Sequence, residues 1–292
     1  MASIKEHQEK EKGKKASLKE LFTRRMSFII FIALGLGFFQ QITGINAIFF
    51  YAPTIFEKTG IPQENAFLQT IIIGLVNLGF TILAIYIIDR FGRKPLLLVG
   101  TFMMSICLLI NSWAFHSATF VISQETIESV ETKVSAECAT ELKTILGQSY
   151  QNEDELIHAI DKFQSSEEIK DNMGVIKNKA LNISAMLVLL AIIGYIAAFA
   201  ISLGPVMWAM FSEIFPNRLR GLAISLAGFF NSLVSYAVQQ VFPWELSTLG
   251  PAITFMIFGI FAMLAFFFTW RFIPETKGKS LEELEEILIK SN

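Results

Sequence analysis

Gln40-Gln41-Ile42-Thr43-Gly44-Ile45-Asn46 lies inside an apolar run that extends from Met26 to Phe50. A run of that length is a candidate membrane span, because roughly 20 apolar residues cross the hydrocarbon of a bilayer as a helix. Three carboxamides in such a run are costly, since hydrocarbon offers no water to satisfy them. On a straight helix turning about 100° per residue, Gln40, Gln41 and Asn46 point roughly 0°, 100° and 240° around the axis. They line one cavity only if the helix unwinds between them, and Gly44 sits in that gap. A span broken at its polar centre is one way to build a substrate site at membrane depth. Amide hydrogen bonds between packed helices are the other reading, and this stretch alone leaves both open.

Outward from this stretch the composition agrees with a membrane protein. Of 292 residues, 53% are hydrophobic and 28 are phenylalanine, which suits a bundle of membrane helices better than a soluble domain. Five further span-length apolar runs follow, at about 67–88, 96–115, 181–210, 222–242 and 252–272. Gly194, Gly204 and Pro205 imply a bend in the fourth span. The sequence therefore divides into a basic segment (1–25), three spans (26–115), a polar insertion (116–180), three more spans (181–273) and a tail (274–292). Ser17–Phe22 reads as a short amphipathic surface helix and Ser280–Lys290 as an acidic helical tail. The insertion predicts two or three short surface helices, such as Glu125–Leu146 and Asp154–Phe163, in a loop or small cap.

Six spans put both ends on one side. Arg90, Arg93, Lys94, Arg218, Arg220, Lys277, Lys279 and the basic N-terminal segment fall on that side, while the short opposite loops carry almost no Lys or Arg. The positive-inside rule then predicts cytoplasmic termini and an extracytoplasmic insertion, in a plasma or inner membrane.

The polar residues at membrane depth are neutral: Gln40, Gln41, Thr43, Asn46, Asn77, Asn231, Gln239 and Gln240, with Trp208 beside Gly204-Pro205. Each amide both donates and accepts hydrogen bonds, as a sugar hydroxyl does. An indole offers a face that stacks on a pyranose ring. Such a set suits an uncharged polyhydroxy ligand better than an ion. For Asn77 and Asn231 singly, helix–helix bonding is an equal alternative, and for Gln239 and Gln240 the favoured one. Ionisable groups sit at span ends: Asp89, Arg93, Glu213, Arg218, Arg220 and Glu275 on the cytoplasmic side, Glu245 opposite. They serve as topology anchors or as a latch between helix ends, and their spacing favours anchors. No Ser/His, paired-Asp or metal-ligand pattern lies at depth. The three histidines (His7, His116, His158) and two cysteines (Cys107, Cys138) are scattered, so no enzyme, metal, cofactor or nucleic-acid partner is expected.

The chain resembles the sugar-porter family of the major facilitator superfamily, which includes proton–xylose symporters and facilitative glucose transporters. The resemblance is to the C-terminal six-helix half. It rests on Gln40–Asn46 followed by Phe50-Tyr51, on Asp89-Arg90-Phe91-Gly92-Arg93-Lys94 and on Gly204-Pro205-Val206-Met207-Trp208. Ser212–Asn217 with Arg220-Gly221, and Pro274-Glu275-Thr276-Lys277-Gly278, complete it. It implies an all-α membrane fold and alternating-access transport of a hexose or pentose. Gln40, Gln41, Asn46, Asn77, Trp208 and Asn231 would contact the sugar, with Gly44, Gly204 and Pro205 as gating hinges. Asp89, Arg93, Glu213, Arg220 and Glu275 would form a cytoplasmic charge network. Phe50 stands where the family often has tyrosine, and Ser232 where it often has tryptophan, while the insertion is longer than the usual connection. Family members carry about twelve spans in two halves, with substrate between them. The first half, and any acid that couples flux to protons, would lie on a segment not present here, so a second six-helix chain or half is an expected partner. The alternatives are a non-transporting sugar sensor or interaction protein, or an inactive truncated fragment.

Overall fold

The computed structural model describes residues 18–279 apart from 61, 62, 132, 133 and 165, together with Glu283. The basic residues before Leu18 and the expected tail helix Ser280–Lys290, Glu283 apart, lie outside the described residues.

Among the described residues, six stretches are long and apolar enough to cross a membrane: Met26–Phe50, Asn65–Phe91, Arg93–His116, Ala185–Ile214, Arg220–Thr248 and Gly250–Phe272. A short helix α1 (Leu18–Leu21) leads into the first span, which consists of α2 (Arg24–Ile42) and α3 (Ile45–Phe50) and continues into α4 (Ala52–Glu57). The second and third spans are α5 (Gln63–Phe91) and α6 (Arg93–His116). Their helices run one to four residues past the apolar runs at each end, because the backbone keeps its hydrogen bonds where the chain leaves hydrocarbon for water. Only 11% of the second span's apolar window is buried, so most of its side chains face outward, to lipid or to another chain.

The fourth span is two helices, α12 (Ala185–Ala200) and α13 (Leu203–Ile214). The break falls at Ile201-Ser202, just before Gly204-Pro205, where Ser202 adopts φ −127° and ψ −102°. Pro205 thereby occupies the first turn of α13, where a missing N–H costs nothing. Residues 181–184, read from the sequence as the start of this span, belong instead to a strand and its exit. The fifth span is α14 (Arg220–Thr248) and the sixth α15 (Gly250–Phe272).

Small residues allow close approach between spans, as is usual where lipid supplies no hydrophobic drive for helix association. Ser105 Oγ donates to the Gly259 carbonyl at 2.8 Å and Ser112 Oγ to that of Ala252 at 2.7 Å, fastening α6 to α15. A Cβ on Gly100 would lie 2.0 Å from Ser202 Oγ, so only glycine lets α6 pass the break in the fourth span.

Between the third and fourth spans the chain forms a small folded unit. It contains β1 (Thr119–Val121), α7 (Gln124–Glu131), α8 (Ala136–Thr144), β2 (Ser149–Tyr150), α9 (Glu153–Ile160), α10 (Ser166–Asp171), α11 (Met173–Ala180) and β3 (Leu181–Asn182). The strands make an antiparallel sheet in the order β2-β1-β3, with Thr119 opposite Asn182, so the chain enters and leaves the unit side by side. Its core is separate from that of the bundle and includes Ile122, Ile127, Cys138, Leu142, Leu156 and Ile176. The single helix expected over Glu125–Leu146 is two, divided before Ser135, whose side chain caps α8.

Candidate functional site

The first span unwinds between its glutamines and Asn46. Thr43 ends α2 and Gly44, at φ 87°, begins α3. That φ is disfavoured for residues with a Cβ. The freed backbone groups are satisfied: Gly44 N donates to the Gln41 carbonyl at 2.9 Å, and the buried Tyr195 hydroxyl donates to the Thr43 carbonyl at 3.0 Å. Five residues apart on a straight helix, Gln41 and Asn46 would point about 140° apart. Here Asn46 Nδ2 donates to Gln41 Oε1 at 2.8 Å.

These amides join a network with α14. Gln41 Nε2 donates to Asn231 Oδ1 at 3.1 Å and to Gln40 Oε1 at 3.2 Å. Asn231 Nδ2 donates to Gln40 Oε1 and to the Gly37 carbonyl, both at 2.9 Å. Asn46 Nδ2 also donates to Ser235 Oγ at 2.8 Å, and Gln239 Nε2 to the same oxygen at 2.9 Å. Gln41, Asn46, Asn231, Ser235 and Gln239, with Ser232, Tyr236 and Gln240, line a cavity of about 270 Å³. Every one of these residues carries an uncharged polar group.

Gln40 is not among the lining residues. Its Nε2 donates to the Leu203 carbonyl at 2.9 Å, tying the first span to the broken fourth, and its Oε1 accepts from Gln41 and Asn231. Asn77, half-buried on α5, does not line the cavity either. Trp208 stands one turn away: its ring lies 3.7 Å from where a Cβ on Gly228 would be, and the residue is 44% exposed. Ser235 is not singled out in the sequence and Gln239 is read there as helix–helix bonding, although successive four-residue steps from Asn231 through Ser235 to Gln239 mark one helix stripe. Tyr195 gave no signal beyond being a tyrosine in an apolar run.

The charged span ends converge at one end of the bundle. Arg93 Nη2 pairs with Glu213 at 2.7 Å and with Asp89 at 2.9 Å. Glu275 caps α6: its Oε1 accepts from Arg93 N and its Oε2 from Lys94 N, both at 3.1 Å. A carboxylate on a helix N-terminus is favoured by the unpaired N–H groups and the dipole. Gly92, at φ 93°, makes room, since a Cβ there would lie 2.6 Å from Glu275 Oε2. Thr276 Oγ1 donates to Glu213 Oε2 at 2.6 Å, completing the join to α13. Arg220 Nε donates to the Phe215 carbonyl at 3.3 Å rather than to a carboxylate. Arg218 pairs with Glu20 of α1.

Comparison with known proteins places this geometry. A family profile described as "Sugar (and other) transporter" matches residues 1–137 and 172–288. The D-xylose-proton symporter of Escherichia coli K12 is 32% identical over 265 residues, covering 89% of this chain and 41% of its own. The arabinose-proton symporter of Bacillus subtilis is 30% identical, covering 94% and 46%. The solved structure of a proton:xylose symporter bound to 6-bromo-6-deoxy-D-glucose matches with a TM-score of 0.61 at 33% identity, over 89% of this chain and 42% of that one. An inward-open xylose transporter from E. coli gives 0.59 at 32% identity, over 89% and 42%. The chain spans about half the length of these relatives, and its six spans match one half of their fold. These relatives are transporters, and among the described residues no cluster of metal-ligating side chains is present. The chain belongs to the Sugar (and other) transporter family, as a multi-pass integral membrane protein built on one six-span half of the major facilitator fold.

Proposed function

We propose that the chain is the C-terminal half of a monosaccharide carrier that works by alternating access. In this proposal Gln41, Asn46, Asn231, Ser235 and Gln239 hold the hydroxyls of a hexose or pentose. The observation that carries it is the cavity beside the break in the first span, lined entirely by neutral donors and acceptors. A buried ion would need a countercharge, whereas a sugar exchanges its water hydrogen bonds for amide ones. Gln40 positions the network from behind. Trp208, 44% exposed, and the outward-facing second span with Asn77 await a second six-span half, on the same polypeptide or another, that completes the site. At about 270 Å³ the cavity falls just below the ~300–1,000 Å³ of complete small-molecule sites, as half a site should.

Gly44 and the break before Gly204-Pro205 are the hinges that let the first and fourth spans move. The Arg93–Asp89–Glu213 cluster and the Glu275 cap hold the cytoplasmic helix ends together in one state and part in another. Both termini are cytoplasmic, the membrane is the plasma or inner membrane, and the 119–182 unit lies outside. Protons, as in the symporters named above, would be bound by acids of the other half.

One observation favours a second class, a membrane sugar sensor or interaction protein: residues 138–171, which the family profile leaves unmatched, lie within a folded unit with its own core. Uptake of labelled D-xylose and D-glucose by cells lacking their own sugar carriers and expressing the gene that encodes this chain separates the two. Saturable uptake abolished by Asn231→Ala supports the carrier. Sugar binding without uptake supports the sensor.

A further inference from the structure

A second cavity, of about 310 Å³, lies between the first, fifth and sixth spans. Its walls are apolar and include Phe38 and Ile42 of α2, Val234 and Ala237 of α14, and Phe258 and Phe261 of α15. Glu245 is the one charged residue lining it. No ion pair to the Glu245 carboxylate is present among the described residues, and that residue is partly buried.

The two cavities use different faces of α14. At about 100° per residue, Asn231, Ser235 and Gln239 cluster within roughly 80° of one another, whereas Val234, Val241 and Glu245 form a second cluster whose centre lies about 100° away around the helix. The apolar crevice therefore opens away from the polar site and is not an extension of it. It also lies against the break in the first span. Ile42 precedes Thr43-Gly44, and the Phe258 ring packs so closely on Gly44 that a Cβ there would lie 2.3 Å away.

We propose that this crevice binds a lipophilic cation, an alkyl chain ending in a protonated amine. The chain would fill the apolar part between Phe38, Val234 and Phe261, and the ammonium would donate to the Glu245 carboxylate at the crevice end. Charge decides the class. An unpaired carboxylate beside apolar walls favours a cation that brings its own apolar surface, while a fatty acid would place two anions together. A neutral chain would gain the same apolar burial but leave Glu245 unpaired. The proposal does not depend on which solute the polar cavity takes.

The probe is dodecylamine, with dodecanol as the neutral control and dodecanoate as the anionic one, added to the chain in lipid nanodiscs at pH 7. The readouts are bound ligand by native mass spectrometry and the thermal unfolding midpoint, which rises when a ligand binds the folded state. Dodecylamine should bind tighter than dodecanol and raise the midpoint, and dodecanoate should bind least. Glu245→Gln should weaken dodecylamine roughly ten- to hundredfold, the range of one charge-assisted hydrogen bond, and leave dodecanol unchanged. Ala237→Phe, at an exposed position on α14, should fill the crevice and weaken both amine and alcohol. Equal affinity for amine and alcohol, or amine binding that survives either substitution, overturns the proposal.

Discussion

Replacing Gly44 by alanine tests the break on which the polar cavity depends. The residue has φ 87°, and an added Cβ would lie 2.3 Å from the Phe258 ring. The left-handed conformation costs alanine about 1–2 kcal/mol. Overpacking a filled site adds ~1–3 kcal/mol, and Phe258 has little freedom to yield, being 2% exposed and stacked on Phe242 at 5.9 Å. Together the two terms predict a loss of roughly 2–5 kcal/mol. The reference is Gly79→Ala in α5, where no atom lies within 4 Å of the new Cβ. That change should be neutral or stabilising by about 0.5–1 kcal/mol, because alanine favours helix. Both variants would be compared by thermal unfolding in nanodiscs. Phe258→Leu in the Gly44→Ala background should recover the overpacking part and leave the conformational part. If Gly44→Ala unfolds with Gly79→Ala, the helix does not need its break, and the assembly of Gln41 with Asn46 is wrongly explained.

Three further perturbations follow from the same contacts. Asn231→Ala removes its bonds to Gly37, Gln40 and Gln41 and should lower sugar affinity at least about tenfold, the worth of one net hydrogen bond or more. Sugar titrations of variant and parent check this. Gly92→Ala should displace Glu275 from the N-terminus of α6 and cost about 0.5–2 kcal/mol, the usual worth of a helix cap, read in thermal unfolding. Burial beside Glu168 and Glu141 pushes the Cys138 thiol up to about 11 from its ordinary 9.0. A raised thiol pKa means the unfolded chain ionises first, so this contribution to the 119–182 unit is intact below pH 9 and lost as pH rises from 9 to 11. In a Cys107→Ser background, iodoacetamide should label Cys138 slowly at pH 8 and faster than thiolate formation alone explains as the unit opens above pH 9.

The spans were legible because membrane helices announce themselves by length: each run had to bury its backbone bonds within itself. The break in the first span was legible only as one of two readings: Gly44 stands between amides that no straight helix brings together, but amide bonding between packed helices fits the same stretch. Less visible were contacts set by distant partners. Ser235 and Gln239 gain meaning only when α14 lies against the break, and Glu275 becomes a helix cap only when the tail returns to Arg93. The fourth span breaks at Ser202 rather than at Gly204-Pro205, because proline is tolerated in the first turn of the helix that follows. The strands of the 119–182 unit are two or three residues long, too short to show the alternation that identifies a strand. Its core residues are spread over five short helices and read in sequence as a polar insertion.

The most direct test of the central claim is saturation-transfer NMR on the chain in nanodiscs with D-xylose, D-glucose and gluconate. This measurement detects the weak binding that half a site provides. The neutral-amide cavity predicts signal transfer to both sugars, mutual competition between them, loss of transfer in the Gln41→Ala/Asn231→Ala double variant, and none to the carboxylate-bearing gluconate. Absence of transfer to either sugar from the folded chain, or equal transfer in the double variant, would contradict it.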